Sequence, residues 1–177
     1  GAFDDRYKKV VRAFVKILTY LEVDYAVLGK EESCTGDPAR RAGNEMLFQM
    51  QALQNIEVLN AYEVKKMLTL CPHCYNVFRN EYPELGGNYE VVNYLVFLDN
   101  QIRNGKIKID QKIIQEKTLT YHDPCYLGRA NNIYDEPRNI IAELGAGFRE
   151  MDRNRGSALC CGAGGSQMFK EAEPGDK

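Results

Sequence analysis

The chain has 177 residues, 44% of them hydrophobic and none of them tryptophan, which is enough for one ordinary core or for two small interlocked lobes. Its 23 basic residues are set against 25 acidic ones for a net charge of −2, so there is no field to draw in nucleic acid or an anionic membrane surface. The longest apolar runs, "YAVLG" and "VVNYLVFL", fall far short of the roughly 20 residues needed to cross a bilayer. The chain opens on "GAFDDRYKK" with neither a leader pattern nor an initiator methionine, and the start reads as cut.

In chain order, Asp4 or Asp5 can cap a helix whose apolar residues Tyr7, Val10, Val11, Phe14, Ile17, Leu18 and Leu21 recur at helical spacing. "VDYAVLG" has the short apolar run of a buried strand and leads into "KEESCTGDP", a loop carrying Cys34. Asp37 suits an N-cap and Pro38 a first helical position, and Ala42, Met46, Met50, Leu53 and Ile56 extend a second helix. "VKKMLTL" reads as the next strand, with "CPHC" at its carboxyl end and a helix through Tyr75, Phe78 and Tyr82 after it. A strand "YEVVN" and a helix through Leu95, Leu98 and Ile102 follow, then the lysine-rich connector "NGKIKIDQKIIQEK". Beyond it the order restarts: strand "TLTYHD" before Cys125, helix "DEPRNIIAELG" stopped by Gly145, strand "GFREM", then Cys160 and Cys161. This alternation predicts an α/β fold of two approximately duplicated lobes, residues 1–112 and 113–177, with mostly parallel sheets flanked by helices. Chemistry in such folds gathers at the carboxyl ends of the strands, where every cysteine falls.

The six cysteines are Cys34, Cys71, Cys74, Cys125, Cys160 and Cys161. A disulfide-stapled secreted scaffold would be shorter and richer in cysteine. An adjacent pair and a Cys-x-x-Cys in a chain this long point to metal or redox chemistry in a reducing compartment, with inert buried thiols as the plain alternative. Intervals of 36 residues between Cys34 and Cys71 and of 34 between Cys125 and Cys160 each hold a helix and a strand. Overlaid, they define one period: a lone Cys, a Cys-Cys-Gly, a Cys-x-x-Cys.

With "ESCTGDPARRAGNE", "CPHCYNVFRNEYPELGG" and "YHDPCYLGR", the chain resembles, along nearly its whole length, the cysteine-rich CCG domain. That family includes the CCG-bearing polypeptide of heterodisulfide reductase, the iron-sulfur subunits of glycolate and lactate oxidation, and the membrane-associated iron-sulfur reductases served by electron-transfer flavoprotein, the group it looks most like. The resemblance implies an iron-sulfur oxidoreductase domain ligated by Cys34, Cys71 and Cys74 in one unit and Cys125, Cys160 and Cys161 in the other. It also implies a lone Cys upstream of "GAFDDRYKK" and a Cys-x-x-Cys beyond Lys177, so the chain reads as the middle of a longer protein and as inactive by itself. Electrons would come from electron-transfer flavoprotein or a flavin dehydrogenase and pass toward quinone through a membrane part of the parent, placing this domain at the cytoplasmic face. Ser33 stands where the family has the first cysteine of the doublet. The first unit can therefore offer four thiolates, for a cubane 4Fe-4S cluster or zinc, and the second five, the number tied in this family to a non-cubane 4Fe-4S cluster.

The residue types suit that chemistry. Thiolates are soft ligands that select iron-sulfur clusters or zinc. Cys71 and Cys74 straddle a helix start, where free N–H groups stabilise thiolate. Gly36, Gly162, Gly164 and Gly165 let backbone N–H groups approach a cluster. Three rival readings stay open: a thioredoxin-like dithiol at "CPHC", which in that fold comes early in the domain; a zinc-stabilised interaction module; and reduction of a disulfide substrate at the cluster, as in heterodisulfide reductase. His73 and His122 either tune a centre or hydrogen-bond a loop. Arg40, Arg41, Arg79 and Arg129 either balance cluster charge or dock an acidic partner. No catalytic residue stands out.

Overall fold

The computed structural model describes residues 4–111, 114, 116–164, 166, 167 and 171. Helix α1 (Asp5–Tyr20) starts as expected, with the Asp4 carboxylate accepting from the Tyr7 N–H. It buries Phe14 and Leu18, and the Phe14 ring meets Tyr94 and Phe97 edge-on at 5.8 and 6.2 Å.

The predicted strand "VDYAVLG" does not form. Residues 23–28 pair with none of the described strands, and Tyr25 and Val27 are 43% and 76% exposed. A short apolar run identifies a strand only if a neighbour completes its ladder. The single helix expected after Asp37 is two helices, α2 (Asp37–Arg41) and α3 (Glu45–Ala61). Gly43 adopts φ +86°, and the N–H groups of Gly43 and Asn44 return to Arg40 O and Ala39 O, a left-handed stop that only glycine enters freely. Asn44 then caps α3 by accepting from Leu47 N. Asp37 is the first residue of α2 rather than its cap, a position held by Gly36.

Strand β1 (Lys66–Thr69) and β2 (Glu90–Asn93) run parallel, with Thr69 opposite Asn93 at their carboxyl ends. Between them α4 (Pro72–Asn76) passes into a π turn over Val77–Glu81 and a 3-10 turn over Tyr82–Leu85, ended by Gly86 at φ +91°. Helix α5 (Tyr94–Arg103) is capped by Asn93. Beyond the connector, β3 (Thr118–Leu119) pairs in parallel with β4 (Gly147–Phe148), across α6 (Asp135–Glu143). Strand β3 is shorter than "TLTYHD" suggests, because Asp123 turns to side-chain partners and Pro124 has no N–H to give a ladder. The fold is thus mixed α/β with short parallel strand pairs.

Two apolar clusters hold it together. Phe48, Ala52, Ile56, Val77 and Tyr82 form one; Tyr75, Leu127 and Ile133 form the other, with Val91, Leu95 and Val96 packed against it. Burying each large side chain contributes about 1.5–3 kcal/mol. The second cluster joins the Cys-x-x-Cys helix to the segment after Cys125, so both cysteine-bearing halves share packing. No helix among the described residues is long and apolar enough to cross a membrane.

Candidate metal centre

The Cys34 loop is fixed from beneath by its backbone. Asn55, buried on α3, donates from Nδ2 to Cys34 O at 2.9 Å and to the Tyr82 hydroxyl at 3.0 Å, while its Oδ1 accepts from Ser33 Oγ at 2.6 Å. Tyr82 in turn donates to Thr35 O at 3.1 Å, and burial pushes its phenol up to about 12. Gly36 sits at φ +86°, where a Cβ would lie 2.8 Å from the Phe48 ring and 3.2 Å from its carbonyl oxygen. Packing alone therefore demands glycine there. With its carbonyl tied down, Cys34 is left exposed.

Strand β1 delivers Cys71 to the N-cap of α4, with Pro72 at the first turn. The Cys74 thiol hydrogen-bonds to the Cys71 sulfur, joined by the N–H groups of Cys74 and His73, and together they hold Cys71 well below its usual range, at about 6, despite burial. The same hydrogen bond and burial push Cys74 up. Thr35 Oγ1 lies 3.8 Å from Cys74 Sγ and links the Cys34 loop to this pair. Two polar atoms at the carboxyl ends of the sheet, Thr69 Oγ1 and Asn93 Nδ2, are buried without a hydrogen-bond partner among the described residues.

A charged layer lies behind the cysteines. His73 Nδ1 is 2.8 Å from Asp37 Oδ2, and this hydrogen bond to the carboxylate raises the imidazole pKa. Arg41 Nε approaches Asp37 Oδ1 at 3.2 Å as an ion pair without hydrogen-bond alignment. Buried Glu81, in the π turn, binds Arg40 at 2.8 Å, Arg41, and Asn76 Nδ2 at 2.8 Å. The arginines thus serve internal partners: Arg79 meets the Tyr75 hydroxyl, and Arg129 donates to Ala158 O at 2.9 Å. Their exchange with buried acids was not legible from charge alone. His73 is a loop-bonded histidine, and His122 is exposed.

The Cys125 loop lies against this layer. Tyr126 stacks on His73 with ring centroids 4.2 Å apart, under Arg41 at 5.5 Å. Just upstream, Asp123 is buried, and the Arg138 guanidinium grips it at 2.8 and 2.9 Å, with the Arg155 N–H at 2.7 Å. Arg138 holds the Asp123 carboxyl below the usual aspartate range. A Cβ on Gly128 would fall 2.4 Å from the Tyr134 ring, so the turn after Cys125 is also reserved for glycine.

Cys160 and Cys161 are exposed, in a turn with Gly162 at φ +77° and the Gly162 N–H 3.5 Å from Cys160 Sγ. Open space surrounds Gly162 and Gly164, while Gly165 lies outside the described residues. Ser166 Oγ reaches back to Pro38 O at 2.6 Å. Both sets of cysteine loops therefore meet on one side of the molecule: Cys71 touches Cys74, Thr35 reaches Cys74, Tyr126 covers His73, and Ser166 reaches the α2 start. All six thiols are free. Among the described residues no three His, Cys, Asp or Glu side chains are grouped to hold a metal ion. The donor chemistry nevertheless fits a thiophilic centre: a thiolate at a helix N-terminus, further thiols on adjoining loops, N–H groups aimed at sulfur, and unpartnered polar atoms at the strand ends.

Asn55, Glu81, Asp123 and Asn131 hold these loops and escaped sequence reasoning. The trace they leave is an Asn or Glu at an otherwise apolar helical position, as Asn55 is between Ala52 and Ile56.

An α/β scaffold that brings thiols from strand ends and glycine-rich turns to one side defines a protein of cysteine-motif chemistry. The chain belongs to the family described as "Cysteine-rich domain" (CCG), whose model matches residues 1–79 and 119–175. It is 45% identical over 97% of its length to an "EtfAB:quinone oxidoreductase" of Syntrophomonas wolfei subsp. wolfei, covering 24% of that protein. It is 42% identical over its full length to a "Probable iron-sulfur-binding oxidoreductase FadF" of Bacillus subtilis, covering 25%. Over 90% of its length it is 35% identical to a polypeptide of the "Dihydromethanophenazine:CoB--CoM heterodisulfide reductase" of Methanosarcina acetivorans, covering 41%. The chain spans about a quarter of the first two relatives. No solved structure matches.

Proposed function

We propose that this chain is the cluster-bearing part of an iron-sulfur oxidoreductase that carries electrons from electron-transfer flavoprotein, or a flavin dehydrogenase, toward quinone at the cytoplasmic face of a membrane. The observation that carries this reading is the anionic Cys71 hydrogen-bonded by Cys74 at a helix start beside the Cys34 loop, in a chain whose relatives are named as iron-sulfur oxidoreductases. Cys34, Cys71 and Cys74 ligate one centre, and Cys125, Cys160 and Cys161 the other, each completed by parts of the parent protein. The two sites arise from approximately duplicated units, 1–112 and 113–177.

A bound 4Fe-4S cluster would supply one-electron chemistry at each site. The residues of this chain do the rest. Cys71 is ready as thiolate without an added base, Thr35 and the first-turn N–H groups donate toward sulfur, and the Gly162 N–H does the same at Cys160. Gly164 and Gly165 leave room for backbone to approach the second centre. Asp37 fixes the His73 ring by its Nδ1 bond, with Arg41 paired to the same carboxylate.

A second reading, reduction of a disulfide substrate at the second centre, is favoured by the match to heterodisulfide reductase. Zinc in the four-thiolate first site, with an interaction role, is the third, since four thiolates also suit structural zinc. Oxygen-free preparation of the intact protein, with iron, sulfide and zinc analysis and electron paramagnetic resonance, tests all three. Brown protein with stoichiometric iron that is reduced by reduced electron-transfer flavoprotein is expected; colourless zinc protein would overturn the iron-sulfur reading.

A further inference from the structure

The Cys125 loop is anchored by an element with no counterpart in a cysteine motif. Asn131, six residues beyond Cys125, donates from Nδ2 to Tyr126 O at 2.6 Å and to Asn76 Oδ1 at 3.1 Å. Its Oδ1 accepts from Asn80 Nδ2 at 2.9 Å, and Asn80 also donates to Asn76 Oδ1 at 2.9 Å. Three amides from two distant segments close a ring, and Asn76 ties that ring to buried Glu81. The first bond closes the turn that carries Cys125; the others fasten it to the helix that carries Cys74. Only an amide offers both donors and an acceptor in this place. The same loop holds the approach to Cys160 through Arg129 and Ala158 O.

We propose that Asn131 is a positioning residue: it fixes the Cys125 sulfur relative to the Cys71–Cys74 helix, so that the two cysteine motifs are held as one rigid assembly. This rests on the ligand role proposed above for Cys125, and the amide ring is what holds that ligand in place. Asn131→Ala removes the ring's centre. Asn131→Asp keeps the acceptor for Asn80 but sets a carboxylate against two other acceptors, Tyr126 O and Asn76 Oδ1, and is the harsher change.

The test uses the intact protein in two states. In the metal-free state, alkylation of each cysteine is timed by peptide mapping at fixed pH. Cys125 in Asn131→Ala should react about fivefold to tenfold faster than in the wild type, as loss of one or two partly buried hydrogen bonds from the closed loop allows. Cys34, held by Asn55 and Tyr82, should keep its rate. In the iron-loaded state, the resonance signal and midpoint potential of the second centre should shift in both variants, which a merely stabilising residue would not cause. An unchanged Cys125 rate, or equal acceleration of Cys34 and Cys125, overturns the proposal. If Asn131→Ala does not fold, Asn80→Ala removes one exposed donor from the same ring and should give a smaller rise in the Cys125 rate; no rise overturns the proposal. If the wild type takes up no iron, the functional reading fails, and the alkylation rates still decide the role of Asn131.

Discussion

The loop around Cys34 and the turn around Cys160 and Cys161 carry matching motifs at matching distances from their partners, yet the fold treats them oppositely. The first is bound beneath by Asn55 and Tyr82, wedged by Gly36 against Phe48, and backed by Asp37, His73 and Glu81. The second has exposed thiols, an open glycine turn, and only two ties nearby among the described residues, Arg129 to Ala158 O and Ser166 to Pro38 O. Organising a site in advance costs the folded chain buried polar groups; leaving it open shifts the ordering cost to the moment of metal binding. The first motif is therefore built to hold a centre, and the second to close around one.

The strongest way to break this contrast is to remove a ligand from each side. Cys161→Ser in the intact protein should abolish turnover and the signal of the second centre, because a serine hydroxyl is a hard, weakly acidic substitute for thiolate. Metal removal gives the complementary measurement: backbone amides of residues 158–164 should lose protection from hydrogen exchange on chelation, while those of 33–37 should change little. Equal loss in both segments would erase the difference in organisation.

The buried acids beneath the two motifs come next. Arg138→Met deprives Asp123 of its bidentate partner and leaves Glu150 and the Arg155 N–H behind; breaking a buried pair of this kind costs about 3–5 kcal/mol. Denaturant unfolding should show that loss, and the Cys125 loop, which Asp123 precedes by two residues, should loosen before the Cys34 loop.

What the sequence made legible follows from where the information lies. Periodicity placed α1, β1, β2, α5 and α6 because each pattern is local, and cysteine spacing marked the loops because ligand chemistry is written in residue types. It failed at residues 23–28, where strand formation depends on a neighbour, and at Gly43, where a left-handed stop interrupts a helical pattern that continues on both sides. The polar layer stayed hidden for a related reason. Nothing near Asn55 says that it serves the carbonyl of Cys34, 21 residues away, or that Asn131 will meet Asn76 across 55.

Acid sharpens the comparison by a smaller amount. Arg138 lowers the Asp123 pKa below its ordinary value of 3.8, so the unfolded chain takes up this proton first. The resulting stability is complete above the unfolded pKa and is lost as pH falls through the lower folded one. In Arg138→Met the sign reverses, since a buried carboxyl without its cation is easier to protonate. The stability gap between wild type and variant should therefore narrow as pH falls from about 6 to about 3. A gap independent of pH would mean that Arg138 acts through packing alone.

The smallest expected effect tests the position at which the two motifs differ in kind. Ser33→Cys restores a doublet in the first unit and, by sequence alone, would supply its missing fifth thiolate. In the structure the Ser33 hydroxyl is already engaged, because it donates to Asn55 Oδ1 at 2.6 Å while Asn55 holds Cys34 O. A thiol is a weak donor and longer, so the exchange loosens one partly buried hydrogen bond, worth about 1 kcal/mol. Turnover and the first centre's signal should be largely kept, with a small drop in stability and a modest rise in Cys34 reactivity. Were Ser33→Cys instead to give the first centre the spectrum of the second, the side chain at 33 would be free to turn from Asn55 toward metal. The contrast between a held site and a closing one would then reduce to a single sulfur atom.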